Sequence, residues 1–307
     1  TALLAATMVA SLAVGCGNKG GDSKSDSSKS SSSDEITIGF SQVGAESDWR
    51  TANSESMKST FSEKNGYKLI FDDAQQKQEN QITAIRNFIQ QDVDYIVLAP
   101  VTETGWDTVL KEAKDADIPV IIVDRMIDVS DDSLYTAWVG SNFKMEGQKA
   151  CEWLNAYAEA KGMKEVNIAH IQGTIGASAQ IGRTEALNEA VEANGWNLLA
   201  QQTGEFTQAK GQEVMESMLK QYDNINVVYC ENDNEAFGAI DAIEAAGKTV
   251  GPDGDILVMS FDTTKQGITD TLSGDIIVNT ECNPLHGPRV EQIIKQLQAG
   301  ETPEKQA

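Results

Sequence analysis

The stretch YIVLAPVTETGWDTVLKEAKDADIPVIIVDR, which runs from Tyr95 to Arg125, contains a pattern that recurs along most of the chain. Its two ends, Tyr95–Leu98 and Val120–Val123, are short runs rich in β-branched residues and predict buried strands. A segment near Gly105–Ala113 lies between them and predicts a helix. A strand, a helix and a second strand in this order form a βαβ unit, whose two strands lie parallel in one sheet.

The same alternation extends in both directions from this unit. Further strands are predicted at Ile36–Phe40, Tyr67–Phe71, Val166–Ile171, Leu198–Gln202, Val227–Tyr229, Ile256–Ser260 and Ile276–Thr280. Further helices are predicted near Trp49–Ser62, Gln78–Gln91, Lys144–Ala160, Ile181–Ala193, Ala209–Tyr222, Glu235–Ala246 and Gly287–Gln298. The pattern predicts an α/β protein whose parallel sheets are covered by helices on both faces.

The alternation is interrupted at Asp128–Asn142, where Asp and Ser cluster and a strand at Tyr135–Val139 follows without a preceding helix. Two similar α/β halves joined at such a break indicate two lobes and a hinge. We expect an N-terminal lobe formed by residues 35–140 and 283–307, and a C-terminal lobe formed by residues 141–282. A further strand is expected beyond Ala307, because an α/β fold normally adds one after its last helix.

Cys16 follows a stretch, Thr1–Gly15, that is mostly apolar and carries no charge. Such a stretch before a cysteine is typical of a secretion signal with a bacterial lipobox, in which the cysteine receives a lipid. We expect residues 1–16 to be signal peptide and lipobox, with Cys16 anchoring the chain outside the cytoplasm. Residues 17–34 are expected to form a disordered Ser/Gly-rich tether. The usual basic start of a signal is missing, so the sequence is expected to begin inside it.

The composition excludes several classes of function. The net charge is −23, from 24 basic and 47 acidic residues, and a polyanion is a poor partner for nucleic acid because phosphate contacts need clusters of Lys and Arg. The two histidines and four cysteines show no metal-ligand spacing, so neither a metal nor a cofactor is expected. No stretch after Cys16 approaches the roughly 20 apolar residues that a transmembrane helix needs.

Sequence motifs of enzymatic chemistry are also absent. The glycine-rich segment Gly173–Ser178 lacks the GKS/T ending of a phosphate loop and the GxGxxG spacing of a dinucleotide fold. The sequence contains no G-x-S-x-G elbow. The missing motifs favour a binding protein, and an enzyme such as a glycosidase is an alternative that the residues alone leave open.

Polar and charged side chains follow almost every predicted strand, among them Asp124 and Arg125, Asn232, and Asp262. Open parallel sheets bind ligands beyond the carboxyl ends of their strands. Asp, Asn, Arg and Glu suit a sugar, because each sugar hydroxyl both donates and accepts a hydrogen bond. A single Asp after a strand more often caps a helix, and a single Trp more often packs in a core, so these alternatives stay open for each residue taken alone.

Several motifs resemble the bacterial sugar-binding proteins of the ribose/galactose class, which deliver ligand to ABC transporters. The Asp124-Arg125 pair and Arg183 are general to the class, whereas the Trp49-Arg50 pair and the run Gln75–Gln81 resemble its galactofuranose-binding members. The resemblance implies the type I periplasmic-binding-protein fold: two Rossmann-like lobes joined by a multi-strand hinge, with ligand in the cleft. By motif match it implies the ligand-binding residues Ser41, Trp49, Arg50, Asp124, Arg125, Arg183, Phe206, Asn232, Asp262 and Glu281.

Two positions depart from the class. Thr263 follows Asp262 where the class usually has glycine, and a turn that needs a positive φ would be strained there. Ala99 stands where ribose binders often have Asn, which argues against ribose as the ligand.

Together these observations predict a lipid-anchored, extracytoplasmic and monomeric receptor that delivers a monosaccharide, galactofuranose-like or related, to the permease of an ABC importer. Its mechanism would be hinge closure around the sugar without chemistry. A sensor that presents the same lobes to a membrane histidine kinase or chemoreceptor is the alternative that the sequence leaves open. A transcription regulator of the same fold would need a basic helix-turn-helix where residues 17–33 stand.

Overall fold

The computed structural model describes residues 35–306, so Cys16 and the segment at 17–34 lie outside the described residues and the predictions about them stay predictions. Ten strands and nine α-helices follow one another within residues 35–306. In that same range no helix combines the length and the apolar character that crossing a bilayer requires. The three cysteines of the described range, Cys151, Cys230 and Cys282, are buried and form no disulfide.

The first five strands form one parallel sheet in the spatial order β2-β1-β3-β4-β5. These strands are β1 (Ile36–Gln42), β2 (Tyr67–Asp73), β3 (Tyr95–Leu98), β4 (Val120–Val123) and β5 (Ala137–Val139). Helices α1 (Asp48–Thr60), α2 (Gln78–Gln90) and α3 (Asp107–Asp115) connect successive strands of this sheet. We call these elements the first half.

The next five strands form a second parallel sheet in the order β7-β6-β8-β9-β10. Its helices are α4 (Phe143–Lys161), α5 (Ser178–Asn194), α6 (Gln208–Gln221), α7 (Asp233–Ala245) and α8 (Lys265–Ser273). Its strands are β6 (Asn167–Gln172), β7 (Asn197–Thr203), β8 (Val227–Cys230), β9 (Leu257–Asp262) and β10 (Val278–Glu281). We call these elements the second half.

Both sheets have the same topology, in which the first strand of each half lies inside the sheet and the second strand lies at its edge. After β10 the chain returns to the first half, where helix α9 (Gly287–Gln298) packs against α1. Gln306 then forms a parallel bridge with Trp138 of β5. The prediction of two Rossmann-like parallel sheets is confirmed, whereas the exact lobe boundaries at 140/141 and 282/283 stay a prediction.

Each sheet is buried on both faces. Neighbouring residues of β4, Ile121 and Ile122, belong to different apolar clusters on opposite sides of the first sheet. Val227 and Val228 of β8 do the same in the second sheet. Continuous apolar runs of this kind are typical of parallel strands covered by helices on both sides, and each fully buried aliphatic side chain contributes about 1.5–3 kcal/mol. The polar residues that follow the strands are therefore attached to two rigid, well-packed sheets.

Three of the differences between the predicted elements and the structure have a clear local cause. Helix α8 is not predicted because its sequence, KQGITDTLS, is mostly polar; it begins after Thr264, whose hydroxyl accepts the Gly267 N–H. Strand β5 begins two residues later than predicted because a 3₁₀ turn at Asp132–Leu134 precedes it. Strand β10 also begins two residues late, since the amide of Ile276 donates to the carbonyl of Asp270 at the end of α8.

Candidate ligand-binding site

A small cavity lies where the carboxyl ends of the two sheets face each other. It is lined by eight of the ten predicted residues, Trp49, Arg50, Asp124, Arg125, Arg183, Phe206, Asn232 and Asp262, and by Glu46, Ser47, Phe143, Ala179 and Cys282. The sequence therefore identifies most of the side chains that the fold brings together.

The first half contributes what we call the first wall: Glu46, Trp49, Arg50, Asp124 and Arg125. Helix α1 begins here because Ser47 caps it, its hydroxyl accepting the Arg50 N–H at 3.1 Å. This cap fixes the first turn of α1, so Trp49 and Arg50 lie at the carboxyl end of β1.

The charged groups of the first wall form one buried network. Arg50 Nη2 lies 2.6 Å from Asp124 Oδ2, and Arg50 Nε lies 3.0 Å from Glu46 Oε1. Arg125 lies 3.6 Å from Glu46 and 3.9 Å from Asp124. Two guanidinium groups therefore balance two carboxylates in a region where all four side chains are almost fully buried.

The pKa values of the first wall follow from this balance. Burial alone would raise the pKa of Asp124, but the guanidiniums of Arg50 and Arg125 outweigh it and hold that pKa below its ordinary value. Burial, reinforced by the neighbouring Arg50 cation, lowers the pKa of Arg125 to about 10. Both groups are therefore charged at neutral pH, and each stabilises the charge of the other.

The second half contributes the second wall: Arg183, Phe206, Asn232 and Asp262, with Glu146 of α4 behind Arg183. Glu146 Oε2 accepts hydrogen bonds from Arg183 Nη2 at 2.8 Å and Nε at 3.1 Å. Asp262 Oδ1 lies farther from Arg183 Nη2, at 3.6 Å. One guanidinium therefore faces two carboxylates. Burial raises the pKa of Asp262 well above its ordinary value, because Arg183 offsets only part of the cost of burying that charge.

Phe206 is held from several directions. Its amide donates to Glu235 Oε1 at 2.9 Å, and its carbonyl accepts from Asn232 Nδ2 at 3.0 Å. The ring packs over Gly173, where a Cβ would lie only 1.9 Å from it. Asn232 also caps α7 through Oδ1, so both ends of its amide are engaged in placing Phe206 and the start of α7.

Three lining residues have left-handed backbones, with φ of +63° at Asp124, +61° at Phe206 and +100° at Asp262. A positive φ is uncommon outside glycine and costs of order 1–3 kcal/mol. Such residues persist only where their surroundings hold them, and they concentrate at functional sites. All three follow or end a strand at the cavity.

Three buried polar atoms in or behind the cavity walls have no hydrogen-bond partner within the part of the chain that the structure describes. They are Arg50 Nη1 and Glu46 Oε2 in the first wall and Glu146 Oε1 behind the second. A buried donor or acceptor without a partner costs about 1–3 kcal/mol, more for a charged group. A ligand that brings hydroxyl groups into the cavity would satisfy both kinds of atom.

The structure does not bring Ser41 and Glu281 into the cavity lining. Ser41 is fully buried within β1, opposite Asp72 of β2, and its hydroxyl has no partner among the described residues. Glu281 ends β10 beside Asp262 and is exposed. Their assignment as ligand-binding residues stays a prediction.

Trp49 combines the two roles that the sequence left open. It is 4 % exposed and belongs to an apolar cluster with Phe143, Phe206 and Cys282, yet it also lines the cavity. Its Nε1 donates to the carbonyl of Cys282 at 2.6 Å, where the chain crosses back towards the first half. The indole is therefore fixed before any ligand enters.

The ligand-binding residues predicted from the sequence do not include Glu46 and Glu146, which pair with Arg50 and Arg183. For Glu46 a signal exists, because Glu46 and Arg50 are four residues apart around the start of α1, the spacing of a helical ion pair. For Glu146 the sequence offers no comparable signal, since Arg183 lies 37 residues away.

Fold and cavity define an α/β binding protein with two parallel-sheet halves and a ligand site between them. The chain belongs to the periplasmic binding protein domain family, whose model matches residues 38–280.

Three proteins that are similar to this chain have names or titles that mention a furanose sugar. The galactofuranose-binding protein YtfQ of Escherichia coli K12 is 44 % identical over 275 residues, which cover 88 % of this chain and 85 % of that protein. A Mycobacterium smegmatis protein solved in complex with β-D-fucofuranose has 44 % identity and a TM-score of 0.84, and the match covers 88 % of each chain. The binding protein of the arabinose ABC transporter from Shewanella sp. ANA-3, bound to α- and β-L-arabinofuranose, has 44 % identity, a TM-score of 0.82 and 89 % coverage of each chain.

Proposed function

We propose that this protein binds a monosaccharide in its furanose form in the cavity and delivers it to an ABC importer, without chemical change. The observation that carries the proposal is one small cavity lined by charged and aromatic side chains of both halves, in which the buried atoms Arg50 Nη1 and Glu46 Oε2 have no partner among the described residues. The three relatives support the ring form, because their names mention galactofuranose, fucofuranose and arabinofuranose.

The chemistry of the lining suits a neutral polyol. Guanidinium groups donate hydrogen bonds and carboxylates accept them, so each sugar hydroxyl can both accept and donate at this site. These bonds are charge-assisted and therefore stronger than hydrogen bonds between neutral groups. Trp49 and Phe206 offer flat apolar surfaces for the carbon face of a sugar ring. The two walls together contain four carboxylates and three guanidinium groups. This excess of negative charge disfavours a ligand that carries a phosphate or carboxylate group.

The proposed mechanism is closure of the two halves around the sugar. Three hydrogen bonds join the halves at the cleft: Asp48 N–H to Asn234 Oδ1 at 3.0 Å, Glu103 N–H to the Gly176 carbonyl at 2.9 Å, and Met126 N–H to Ser178 Oγ at 2.8 Å. An open form would lose them and expose both walls to water. Sugar that contacts both walls favours the closed form by its differential affinity for that form.

Calorimetric titration tests the proposed function. L-arabinose, D-galactose and D-fucose all form five-membered rings in water, whereas methyl β-D-galactopyranoside is locked in a six-membered ring. We expect at least one free sugar to bind and the locked pyranoside not to bind. At 100 times its dissociation constant, the bound sugar should add about 2.7 kcal/mol to the free energy of unfolding. Equal binding of the pyranoside, or no binding of any free sugar, would overturn the proposal.

A matched pair of variants tests whether the heat measured in the titration comes from sugar binding in this cavity. Phe206→Ala removes a lining ring and should weaken sugar binding by about 1–3 kcal/mol, by analogy with base–aromatic stacking. Phe237→Ala makes the same change at a partly buried ring on α7 that does not line the cavity, and it should leave affinity unchanged. An equal loss in both variants would move the site elsewhere.

We also propose that the protein is a monomer and that a lipid on Cys16 attaches it to the outer face of the cell membrane. Cys16→Ser should release the protein into the soluble fraction while its sugar affinity persists. Cell fractionation checks this, with Cys230→Ser, at a buried free cysteine, as the matched control. A Cys16→Ser variant that stays in the membrane fraction would refute the anchor without touching the binding proposal.

A further inference from the structure

The turn that ends β9 has two successive left-handed residues, Asp262 at φ +100° and Thr263 at φ +53°. Threonine is β-branched, and a β-branched residue at positive φ is a clear outlier. A left-handed pair of this kind persists only where the surrounding structure holds it. Since Asp262 lines the cavity, whatever holds the turn also aims that carboxylate.

Asp233, at the start of α7, bridges the segments on either side of this turn. It is fully buried, and its Oδ1 accepts from Ser260 Oγ at 2.7 Å and from Asn279 Nδ2 at 2.6 Å. Its Oδ2 accepts from the N–H and the hydroxyl of Thr264, both at 2.7 Å. Asn279 in turn accepts the Thr263 N–H at 3.1 Å. We call Asp233, Ser260, Thr264 and Asn279 the clamp.

The clamp encloses the turn. Ser260 lies two residues before Asp262, Thr264 lies two residues after it, and Asn279 bonds to Thr263 itself. Helix α8 also packs against the carboxylate, because a Cβ on Gly267 would lie 2.1 Å from Asp233 Oδ2. All these segments therefore meet at one side chain that has no contact with the cavity.

We propose that Asp233 is a positioning residue for sugar binding: through the clamp it holds the left-handed Asp262-Thr263 turn and so aims Asp262 at the sugar. The proposal rests on the proposed function only for the identity of the ligand. A carboxylate is required because four donors converge on it, and an asparagine would place an NH₂ group against either the Thr264 N–H or the Asn279 amide.

A double-mutant cycle without sugar tests the clamp itself. Glycine adopts positive φ readily, so Thr263→Gly removes the strain that the clamp opposes. We expect Asp233→Asn to lower the Tm by about 5 °C in the Thr263→Gly background and by less than half as much with Thr263 present, because there the loss of the clamp also releases the strain of the turn. Additive shifts would overturn the proposal, because they would mean that Asp233 does not support this turn.

Titration with L-arabinose, or with whichever free sugar of the panel the unaltered protein binds, tests the positioning role. Asp233→Asn should weaken affinity at least tenfold, and the Asp233→Asn/Thr263→Gly variant should return to within about threefold of the unaltered protein. The control Met218→Ala truncates a fully buried side chain of the second half and should lower Tm without changing affinity. Loss of affinity without rescue by Thr263→Gly would overturn the proposal.

If Asp233→Asn does not fold, Asn279→Ala takes its place, because it removes only the arm that bonds to Thr263 and Asp233. It should show the same rescue by Thr263→Gly, and the absence of rescue would count against the clamp. If the unaltered protein binds no sugar, the proposed function fails, and the sugar-free cycle alone still decides whether Asp233 holds the turn.

Discussion

The two walls of the cavity compensate their buried charges in different ways. In the first wall, Arg50 and Arg125 share Glu46 and Asp124, so two positive and two negative groups neutralise one another at 2.6–3.9 Å. In the second wall, Arg183 is held closely by Glu146 and faces Asp262 at 3.6 Å, which leaves one negative charge uncompensated.

Because of this difference, we expect the two walls to depend on ligand to different degrees. The first wall is internally paired, and the lowered pKa of Asp124 shows that its charge is stabilised there. The second wall buries a carboxylate that its surroundings stabilise poorly, as the raised pKa of Asp262 shows. We infer that the first wall contributes to folding stability as well as to binding. Asp262, by contrast, contributes to binding but lowers the free energy of unfolding of the sugar-free protein.

The largest effect is expected for Asp124→Ala. The change leaves Arg50 and Arg125 buried with only Glu46 between them, and breaking a buried pair by removing one partner costs about 3–5 kcal/mol of unfolding free energy. Sugar binding should be lost as well. Denaturant unfolding and titration measure both effects, with Asp115→Ala, an exposed partner of Lys111, as a control that should cost no more than about 1 kcal/mol. Similar losses in the two variants would remove the difference between a buried and a surface pair.

Arg183→Lys should have the next largest effect, and mainly on affinity. Lysine keeps the charge but loses the planar fork that bonds Glu146 twice. We expect sugar binding to weaken by about 1.5–3 kcal/mol, roughly tenfold to hundredfold. Arg86→Lys makes the same exchange in an exposed pair with Glu112 and should not change affinity. Unchanged affinity in Arg183→Lys would remove this side chain from the site.

Asp262→Asn should separate stability from binding. Without sugar it should raise the unfolding free energy at neutral pH by about 0.5–2 kcal/mol, because it removes a poorly compensated buried charge, while sugar affinity falls. Since the folded pKa of Asp262 is raised, its contribution to stability is fully present below the unfolded value of about 3.9 and is lost as pH rises through the folded pKa.

Thermal unfolding across pH checks this sign. The advantage of Asp262→Asn over the unaltered protein should grow as pH rises through the raised pKa of Asp262 and shrink towards acid. An advantage that instead grows towards acid would mean that Asp262 is stabilised as a charge, as Asp124 is, and the two walls would no longer differ.

Trp49→Phe should have the smallest effect. It keeps an aromatic face at the cavity but removes the hydrogen bond from Nε1 to the Cys282 carbonyl. We expect a loss of about 0.5–1.5 kcal/mol in unfolding free energy and a smaller change in sugar affinity. Paired thermal and calorimetric measurements distinguish the two, and a loss mainly in affinity would mean that the indole NH acts on the ligand.

Sequence reasoning went furthest where the fold itself makes the site. Eight predicted residues reach the cavity: five of them follow or end parallel strands whose ends the two sheets align, and the other three lie in helices α1 and α5. The strain anticipated at Thr263 is present, with φ of +53°. The partners of the arginines were less accessible, because 47 acidic residues offer many candidates and only packing selects Glu146 for Arg183. The clamp could not be predicted either, because it unites Asp233 of α7 with one residue each of β9 and β10 and with the residue before α8.

A crystal structure of the protein with L-arabinose, or with whichever free sugar of the titration panel it binds, would show whether the two walls bind a furanose together. We expect one furanose ring in the cavity, touching both walls, with its hydroxyls within hydrogen-bond distance of Glu46 Oε2 and Arg50 Nη1. A sugar that lies outside the cavity, that contacts one wall only, or that leaves those two buried atoms without partners would contradict it.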